Sequence, residues 1–327
     1  MKHRVMKENS IDRKSSGISV IICTFNPRLN YLQRTLEALS RQTLNTQEWE
    51  LILIDNGDKH EWNTAISLGW HPFARIVHEP TAGLTHARLR GISESSNPLI
   101  IFVDDDNLLK EDYLETALQI AESHPHIGAW GGQAIPEFEI EPPAWIAPYL
   151  GLLALRQFQD DRWTNIPGIS AAMPFGAGLC VRRSVAQQYA KGVHGDSFRQ
   201  QLDRSGSNLN GCGDVDLAYT AFQKQLGIGL FSKLVLTHLI PSTRFSETYL
   251  LGLTEGNAFS HVFIKILHEN ENPLLKNKSL TTRLADILRY LIMSPRRRRF
   301  YKSARRGLVR AFNRIKACKA DSNPASS

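Results

Sequence analysis

The sequence predicts an α/β fold: a mostly parallel sheet flanked by helices, followed by a basic, α-helical C-terminal extension. Three observations favour it. Short apolar runs alternate with amphipathic helical patterns, acidic residues directly follow two of these runs, and positive charge is concentrated near the C-terminus. The 327 residues are enough for one large α/β domain with an appendage, or for two modest domains.

The predicted strands are continuous apolar runs, as expected for strands buried on both faces of a parallel sheet. They cover residues 18–24, 49–54 and 99–103, with 75–77 as a short further candidate. One helical pattern begins at Leu29, and two further helical patterns cover residues 83–95 and 112–123. Strands and helices that alternate at this spacing indicate a parallel sheet.

The pattern changes after Gly128. Residues 132–175 contain several prolines and little periodicity, and we expect irregular structure with some helix over a sheet edge. A strand at 176–181, a loop and helix over 211–226, a short strand at 233–238 and helix from Ser246 onward follow. The predicted organisation is a disordered tail (1–16), a globular domain (17–245), a helical, strongly basic region (246–320) and a disordered tail (321–327).

Targeting signals and cysteine motifs are both missing from the sequence. No apolar run approaches the ~18 residues of a membrane-spanning helix, and the first sixteen residues lack the apolar segment of a secretory signal. The four cysteines, Cys23, Cys180, Cys212 and Cys318, are widely spaced and form no zinc-binding pattern. We therefore expect a cytoplasmic protein with reduced thiols.

Charge is unevenly distributed. Residues 276–320 hold fifteen Lys/Arg and one acid, Asp286, a net of +14, whereas the remainder has 24 basic and 31 acidic residues, a net of −7. A predicted helix over 300–319 carries an apolar stripe, formed by Tyr301, Ala304, Leu308, Phe312 and Ile315. A basic amphipathic helix favours peripheral contact with an anionic membrane surface, the alternative being a solvated tail. Nucleic acid is not expected as a partner, because the body is acidic.

Carboxylates follow two strands at their carboxyl ends, which is where open α/β sheets bind ligands. Asp55 follows the second strand, and Asp104, Asp105 and Asp106 follow the run at 99–103. Adjacent carboxylates repel each other, and a divalent cation relieves the repulsion. Mg²⁺ and Mn²⁺ prefer oxygen ligands and often share them with substrate phosphates. The pattern predicts a clamp for a metal diphosphate, the alternative being a solvated acidic loop.

Three further segments carry candidate residues. Asp214 and Asp216 open a helix after a glycine loop, and are either a general base with its neighbour or simple helix caps. His238 and Arg244, near a strand end, could bind a metal or a phosphate, although a lone histidine is often structural. Arg88, between two glycines, could reach a phosphate or a carboxylate.

Taken together, seven motifs in order resemble glycosyltransferase family 2, whose members have the GT-A fold. They lie within about residues 17–245 and read ISVIICTFN, LILIDNG, AGLTHARLRGI, FVDDDN, GAGLCVRR, GCGDVDLA and THLIPSTR. The resemblance implies an inverting, Mn²⁺- or Mg²⁺-dependent enzyme that takes a UDP-, dTDP- or GDP-sugar. Its product would belong to cell-surface polysaccharide or glycolipid synthesis, with a saccharide or lipid-linked acceptor.

The resemblance also implies roles for individual residues. The nucleotide pocket would be lined by Thr24, Asn26 and Asp55, and Arg88 would lie near the base or the diphosphate. Asp104 and Asp106 match the D-x-D positions around Asp105, with Asp106 the first choice as metal ligand. His238 and Arg244 would supply a late metal or phosphate contact, Asp214 the catalytic base and Asp216 the acid that follows it. Trp145 and the segment around Tyr149 would shape the acceptor side.

Two departures from the family pattern matter. The family usually has Glu-Asp where this chain has Gly213-Asp214, so either Asp214 or Asp216 could be the base, and we favour Asp214. The Q-x-x-R-W motif and membrane helices of processive synthases are absent, which favours one sugar transferred per encounter. The alternatives are an inactive sugar-nucleotide-binding homologue or a sugar-phosphate nucleotidyltransferase. The latter would need a glycine-rich loop where this chain has CTFNPR.

Overall fold

The computed structural model describes residues 17–321 except 169, 205, 207 and 275–278. The predicted disordered tails at 1–16 and 321–327 lie outside the described residues, except for Asp321, which ends a helix. The strands are β1 Ile18–Thr24, β2 Trp49–Asp55, β3 Ala74–His78, β4 Leu99–Asp104, β5 Asn107–Leu109, β6 Ile127–Phe138, β7 Arg162–Thr164, β8 Leu179–Arg182 and β9 Gly227–Ile240. The helices are α1 Leu29–Ser40, α2 Leu84–Glu94, α3 Tyr113–Ser123, α4 Arg183–Val193, α5 Gly213–Gln223, α6 Glu247–Glu269, α7 Leu280–Ile292 and α8 Pro295–Asp321.

Short 3₁₀ helices connect several of these elements. The longest, Ala144–Leu153, is named here the 3₁₀ segment. The others are Thr46–Glu48, Glu61–Ala65, Ser170–Ala172, Arg199–Gln201 and Ser242–Phe245.

The strands of the described residues form one mixed sheet in the order β3-β2-β1-β4-β8-β6-β9-β5, with β7 also paired to β9. Strands β1 to β4 are parallel neighbours, whereas β8 is antiparallel to both β4 and β6. Thr24 pairs with Asp55 and Cys23 with Asp104, so the carboxyl ends of β1, β2 and β4 lie level. The predicted α/β class with a mostly parallel sheet is confirmed for this half of the sheet.

Two apolar cores sandwich the sheet, because successive side chains of a strand point to opposite faces. Val20 and Ile22 join the core under α1 and α3, whereas Ile21 joins the core under α2, α4, α5 and α6. Every residue of β2 is buried, which explains its continuous apolar run.

The second half of the sheet differs from the prediction. Residues 132–138 are not irregular but complete the twelve-residue strand β6, and the short strand expected at 233–238 is part of the fourteen-residue β9. Beyond Gln133 the buried and exposed positions of β6 are mixed and include Pro136, so no apolar run marks it. The strand expected from Gly176 begins at Leu179, after Gly178 with its φ of +68°.

The C-terminal region packs on the body rather than trailing from it. The buried face of α8 is formed by Phe300, Ser303, Gly307 and Ala311. A Cβ added to Gly307 would clash with the carbonyl oxygen of Glu255, so α6 and α8 are in very close contact. The predicted apolar stripe of α8 is therefore displaced, and Phe312 is 51% exposed. Close helix packing selects small residues, which an apolar pattern does not register.

Among the described residues, no helix combines the length and the apolar character needed to cross a bilayer.

Candidate active site

A cavity of about 450 Å³ opens at the carboxyl ends of β1 and β4. It is bordered by the start of α2, the N-terminus of α5, the end of the 3₁₀ segment and the first half of α6. The predicted site residues that line it are Thr24, Arg88, Asp104, Asp105, Asp106, Asp214, His238 and Arg244. These residues, from five of the seven sequence motifs, thus meet in one cavity at the carboxyl ends of the strands.

Asp106 is held by two basic side chains, His238 of β9 and Arg244 of the short 3₁₀ helix that follows it. Its Oδ2 accepts a hydrogen bond of 2.6 Å from Arg244 Nη2, and its Oδ1 lies 3.4 Å from His238 Nε2. The pairing of Asn107 with His238 in strands β5 and β9 places the histidine there. Burial alone would raise the pKa of Asp106, but the charges of His238 and Arg244 outweigh it and hold the pKa at about 2.

The negative charges of the other two carboxyl groups of the turn, Asp104 and Asp105, are less well balanced by nearby positive charge. Burial raises the pKa of Asp104, and the negative charge of Asp106 adds to the effect. The same two causes, together with Asp104, raise the pKa of Asp105 to about 8. The turn therefore carries more negative charge than its protein neighbours neutralise, which favours binding of a cation.

The expected metal ligands are only partly assembled. Asp106 and His238 offer an oxygen and a nitrogen 3.4 Å apart at the cavity wall, and Nδ1 of His238 is buried with no hydrogen-bond partner. In the described part of the chain, however, the three potential ligands whose atoms lie within 4.8 Å of one another are Asp55, His60 and His78. The set of Asp104, Asp106 and His238 does not converge to that degree. Asp106 and His238 fit a divalent cation that takes its remaining ligands from substrate phosphates.

Asp214 opens helix α5 with its carboxylate fixed by two backbone amides. Oδ2 accepts a hydrogen bond of 2.6 Å from the backbone N–H of Gly176, and Oδ1 accepts one of 2.8 Å from the backbone N–H of Val215. Burial raises the pKa of Asp214, while the cation of Arg88 opposes the shift. An oriented carboxylate with a raised pKa at a cavity wall can act as a general base.

Asp216, two residues on, does not reach the cavity. It is fully buried, and Arg199 donates to both of its oxygens, at 2.9 and 3.0 Å. His268 Nε2 lies 2.7 Å from the same carboxylate. Contrary to the expectation that it binds substrate, Asp216 points away from the cavity: two residues rotate the side-chain direction by roughly 200° about the helix axis, and Asp216 ties α5 to α6.

Asp203 is a site residue that sequence reasoning missed. It accepts from Arg88 Nη1 at 2.8 Å and from Thr85 Oγ1 at 3.1 Å, and its other oxygen accepts from the N–H of Gly213. A Cβ at Gly213 would clash with this carboxylate. The acid beside Asp214 thus comes from another segment, in place of the glutamate usual at position 213. No local motif marks Asp203, because its partner Arg88 lies 115 positions away.

Arg204 was also missed. It is exposed at the cavity, and its charge lowers the pKa of Asp104, Asp105 and Asp106. Like Arg244, it could bind a phosphate that enters the cavity.

Three residues expected around the nucleotide occupy different positions. Thr24 lies in the cavity wall, and its buried Oγ1 has no hydrogen-bond partner. Asp55 borders the cavity without lining it, because its Oδ2 is held 2.6 Å from His60 Nδ1. Asn26, with a φ of +48°, binds Asp58 and the N–H of Lys59, and so shapes the loop beside the cavity.

The acceptor side is built differently from the prediction. The cavity wall there contains Gly151 to Ala154 together with Tyr249 of α6. Trp145 does not line it: its ring lies 4.4 Å from the guanidinium carbon of Arg296. Tyr149 stacks on Phe300 at 3.8 Å. The 3₁₀ segment is therefore attached to α8, and Trp145, expected on the acceptor side, does not line the cavity.

Comparison with known proteins points to one family. The family model described as glycosyl transferase family 2 matches residues 19–181. The glucosyl-dolichyl phosphate glucuronosyltransferase of Haloferax volcanii is 23% identical over 129 residues, which cover 38% of this chain and 41% of that protein. The chain thus spans less than half the length of this curated relative.

Solved structures support the fold. S. aureus TarS matches with a TM-score of 0.51 and 14% identity, covering 77% of this chain and 40% of that chain. A structure of TarS residues 1–349 in complex with UDP-GlcNAc gives a TM-score of 0.51 and 13% identity, covering 75% of this chain and 66% of that chain. At this level of identity the likeness concerns the GT-A fold alone.

Proposed function

Since the chain belongs to glycosyl transferase family 2, we propose that it transfers one sugar from a nucleoside diphosphate to an acceptor hydroxyl, with inversion at the anomeric carbon. The observation that carries the proposal is the single cavity that holds both the acid turn after β4 and the oriented carboxylate of Asp214. A UDP-sugar is the first donor to test, because one structural neighbour was solved with UDP-GlcNAc.

In the proposed reaction, Asp214 takes the proton of the acceptor hydroxyl. The acceptor oxygen attacks the anomeric carbon from the face opposite the diphosphate, and the bond to the diphosphate breaks with its electron pair. General-base assistance of this kind contributes about 10²- to 10⁴-fold to the rate. Arg204 and Arg244 are placed to attract the diphosphate.

A divalent cation, Mn²⁺ or Mg²⁺, would be held by Asp106 and His238, and would stabilise negative charge on the departing diphosphate. Arg244 now occupies one oxygen of Asp106. It is free to turn to a phosphate when that oxygen takes another partner.

The acceptor is proposed to be a saccharide, free or lipid-linked, bound between the 3₁₀ segment and α6. The curated relative named above acts on a dolichyl-phosphate sugar, which supports a lipid-linked acceptor. The basic C-terminal region is proposed to keep the enzyme at an anionic membrane.

Calorimetry with UDP, GDP, dTDP and CMP, with and without Mn²⁺, tests the proposal. Binding of one diphosphate that strengthens with Mn²⁺ and weakens in an Asp106→Ala variant is the expected result. If no nucleotide binds to the folded protein, the donor proposal fails and an inactive homologue becomes the better description. If binding is tight but indifferent to the metal, the cation proposal fails while the transferase proposal stands.

A further inference from the structure

Helix α7 exposes a row of large apolar side chains to solvent. Leu284, Ile287, Leu288, Leu291 and Ile292 are 61, 56, 63, 59 and 85% exposed, respectively. They are spaced i, i+3, i+4, i+7 and i+8, which places them on one side of the helix. We call this row the α7 face. An exposed apolar row of this kind marks an interaction surface rather than an isolated exception.

Helix α7 contacts α8 near its C-terminal end. Arg298 of α8 donates to the carbonyl oxygens of Tyr290 and Leu291, at 3.2 and 2.7 Å. The rings of Tyr290 and Tyr301 lie 5.5 Å apart. The helix is therefore held in place by contacts that leave its apolar face outward.

Exposed cations lie on α7 and on the first half of α8. Arg289 of α7 has a side chain that is 73% exposed, with its Nη1 3.9 Å from Asp286 Oδ1. Arg297, Lys302 and Arg305 follow on the exposed side of α8. Other arginines of α8 are neutralised inside the molecule: Arg296 and Arg299 pair with Glu247, and two more pair with Glu255. Exposed cations that do not pair with Glu247 or Glu255 therefore remain on the first half of α8, the helix that contacts the C-terminal end of α7.

An exposed apolar row with exposed cations on the same and the next helix matches an anionic lipid surface. The chains insert at the headgroup boundary while the cations attract acidic headgroups, each contributing modestly to binding. A second copy of this chain would bring like charge against like charge, which disfavours self-association through this face. A nucleic acid would satisfy the cations but not the apolar row.

We propose that the α7 face inserts into an anionic bilayer and is the element that docks this protein on membranes. The inference rests on the proposed membrane association of the basic region and changes the element responsible. Of the apolar stripe predicted on α8, Leu308 and Ile315 pack partly against the core and Phe312 is exposed, whereas all five residues of the α7 face are exposed. Helix α8, which contacts α7 through Arg298, also contacts the cavity wall through a hydrogen bond from Arg310 to Asn210.

Flotation of the full chain with phosphatidylcholine vesicles, with and without phosphatidylglycerol, tests this. The variant Leu288→Glu/Leu291→Glu keeps helix-forming residues at exposed positions, so its thermal unfolding should match the wild type. Its binding to vesicles with phosphatidylglycerol should fall by about a hundredfold, as expected for two leucines that no longer leave water. The matched control, Val309→Glu/Phe312→Glu, alters the exposed apolar residues of α8 and should bind far more tightly than the α7 variant.

Equal binding by wild type and the α7 variant would overturn the α7 proposal. If Arg297→Glu/Lys302→Glu/Arg305→Glu then abolished binding, membrane association itself would stand on charge alone. Wild type that binds neither vesicle would refute both. A wild-type dimer that the α7 variant converts to a monomer by sedimentation, with vesicle binding unchanged, would identify a second copy as the occupant. Nucleotide binding by calorimetry is independent of each result, so the transferase proposal is tested separately.

Discussion

Asp214 and Asp216 are two residues apart, yet their surroundings give them opposite chemical roles. Asp214 is held by backbone amides, which leave its carboxylate accessible from the cavity. Asp216 is saturated by Arg199 and His268, with no exposed surface. The sequence motif left the base open between them, and only the fold distinguishes them.

We predict that Asp214→Asn lowers the turnover rate by about 10²-fold or more, while nucleotide binding and thermal stability stay nearly unchanged. Asp216→Asn should instead lower stability by about 3–5 kcal/mol, because it leaves Arg199 buried without a counter-charge. Single-turnover transfer and denaturant unfolding of both variants separate the two effects. A stable, inactive Asp216 variant beside a fully active Asp214 variant would reverse the assignment.

The raised pKa of Asp105 gives a pH-dependent stability prediction. An unfolded aspartate loses its proton near the ordinary value of 3.8, whereas the folded group keeps it until about pH 8. Stability from this group is therefore fully present below pH 3.8 and is lost as the pH rises through that window. Asp105→Asn does not titrate, so without metal its melting temperature should match the wild type near pH 4 and exceed it by a few degrees near pH 8.

Thermal scans of wild type and Asp105→Asn across that range, in a chelating buffer, measure the difference. Asp160→Asn, at an exposed acid in a different part of the sequence, is the control and should give no trend with pH. A constant offset between Asp105→Asn and wild type at all pH values would contradict the assignment.

At the scale of elements, the 3₁₀ segment depends on α8 for its position. Tyr149 stacks on Phe300 with an angle of 15° between the rings, and the guanidinium of Arg296 covers Trp145. A segment that contributes to the cavity wall is thus clamped by a helix that follows it by about 150 residues in sequence.

We predict that Phe300→Leu lowers kcat/KM for the acceptor by up to about tenfold, since an aromatic pair contributes about 0.5–1.5 kcal/mol beyond its buried area. Nucleotide affinity should not change, because the donor side of the cavity is built from other elements. Phe312→Leu on the exposed side of α8 is the matched control. Acceptor kinetics that respond equally to both substitutions would argue against a clamp.

The same scale shows what the sequence could predict. Strands β1, β2 and β4 were predicted because burial on both faces leaves continuous apolar runs, and the site motifs follow their ends. Strands β6 and β9 were underestimated, because their long pairing mixes buried and exposed positions. Asp203 and Arg204 carry no local signature, because their roles depend on partners distant in the chain. The buried face of α8 was predicted wrongly because Ser303, Gly307 and Ala311 are buried there by their small size, which allows close helix packing, and not by an apolar pattern.

At the scale of the whole molecule, part of the positive charge of the basic extension is neutralised by ion pairs with acidic residues of the body. Glu247 and Glu255 of α6 each bind two arginines of α8, and Ser303 Oγ donates to the carbonyl oxygen of Leu251. Ala311 of α8 belongs to the same core as the helices behind the cavity. The extension is therefore integral to the fold.

We predict that removing residues 295–327 lowers the melting temperature sharply, because it exposes the apolar surface of α6 that α8 covers. Removing residues 322–327 alone should have no effect. Calorimetric unfolding of the full chain should show one cooperative transition. Two separate transitions, with the body unaffected by the longer truncation, would show that the extension folds on its own.

Because Arg244 pairs with Asp106, we expect the folded protein to be stable when no metal ion is bound. The guanidinium of Arg244 neutralises the carboxylate of Asp106, the most acidic group of the turn, so folding does not require a bound metal ion at this position. Many structural metal sites lose their architecture when stripped of the ion. Here exhaustive treatment with a chelator should leave the melting temperature unchanged, so that the proposed cation would be needed only when the proposed donor binds.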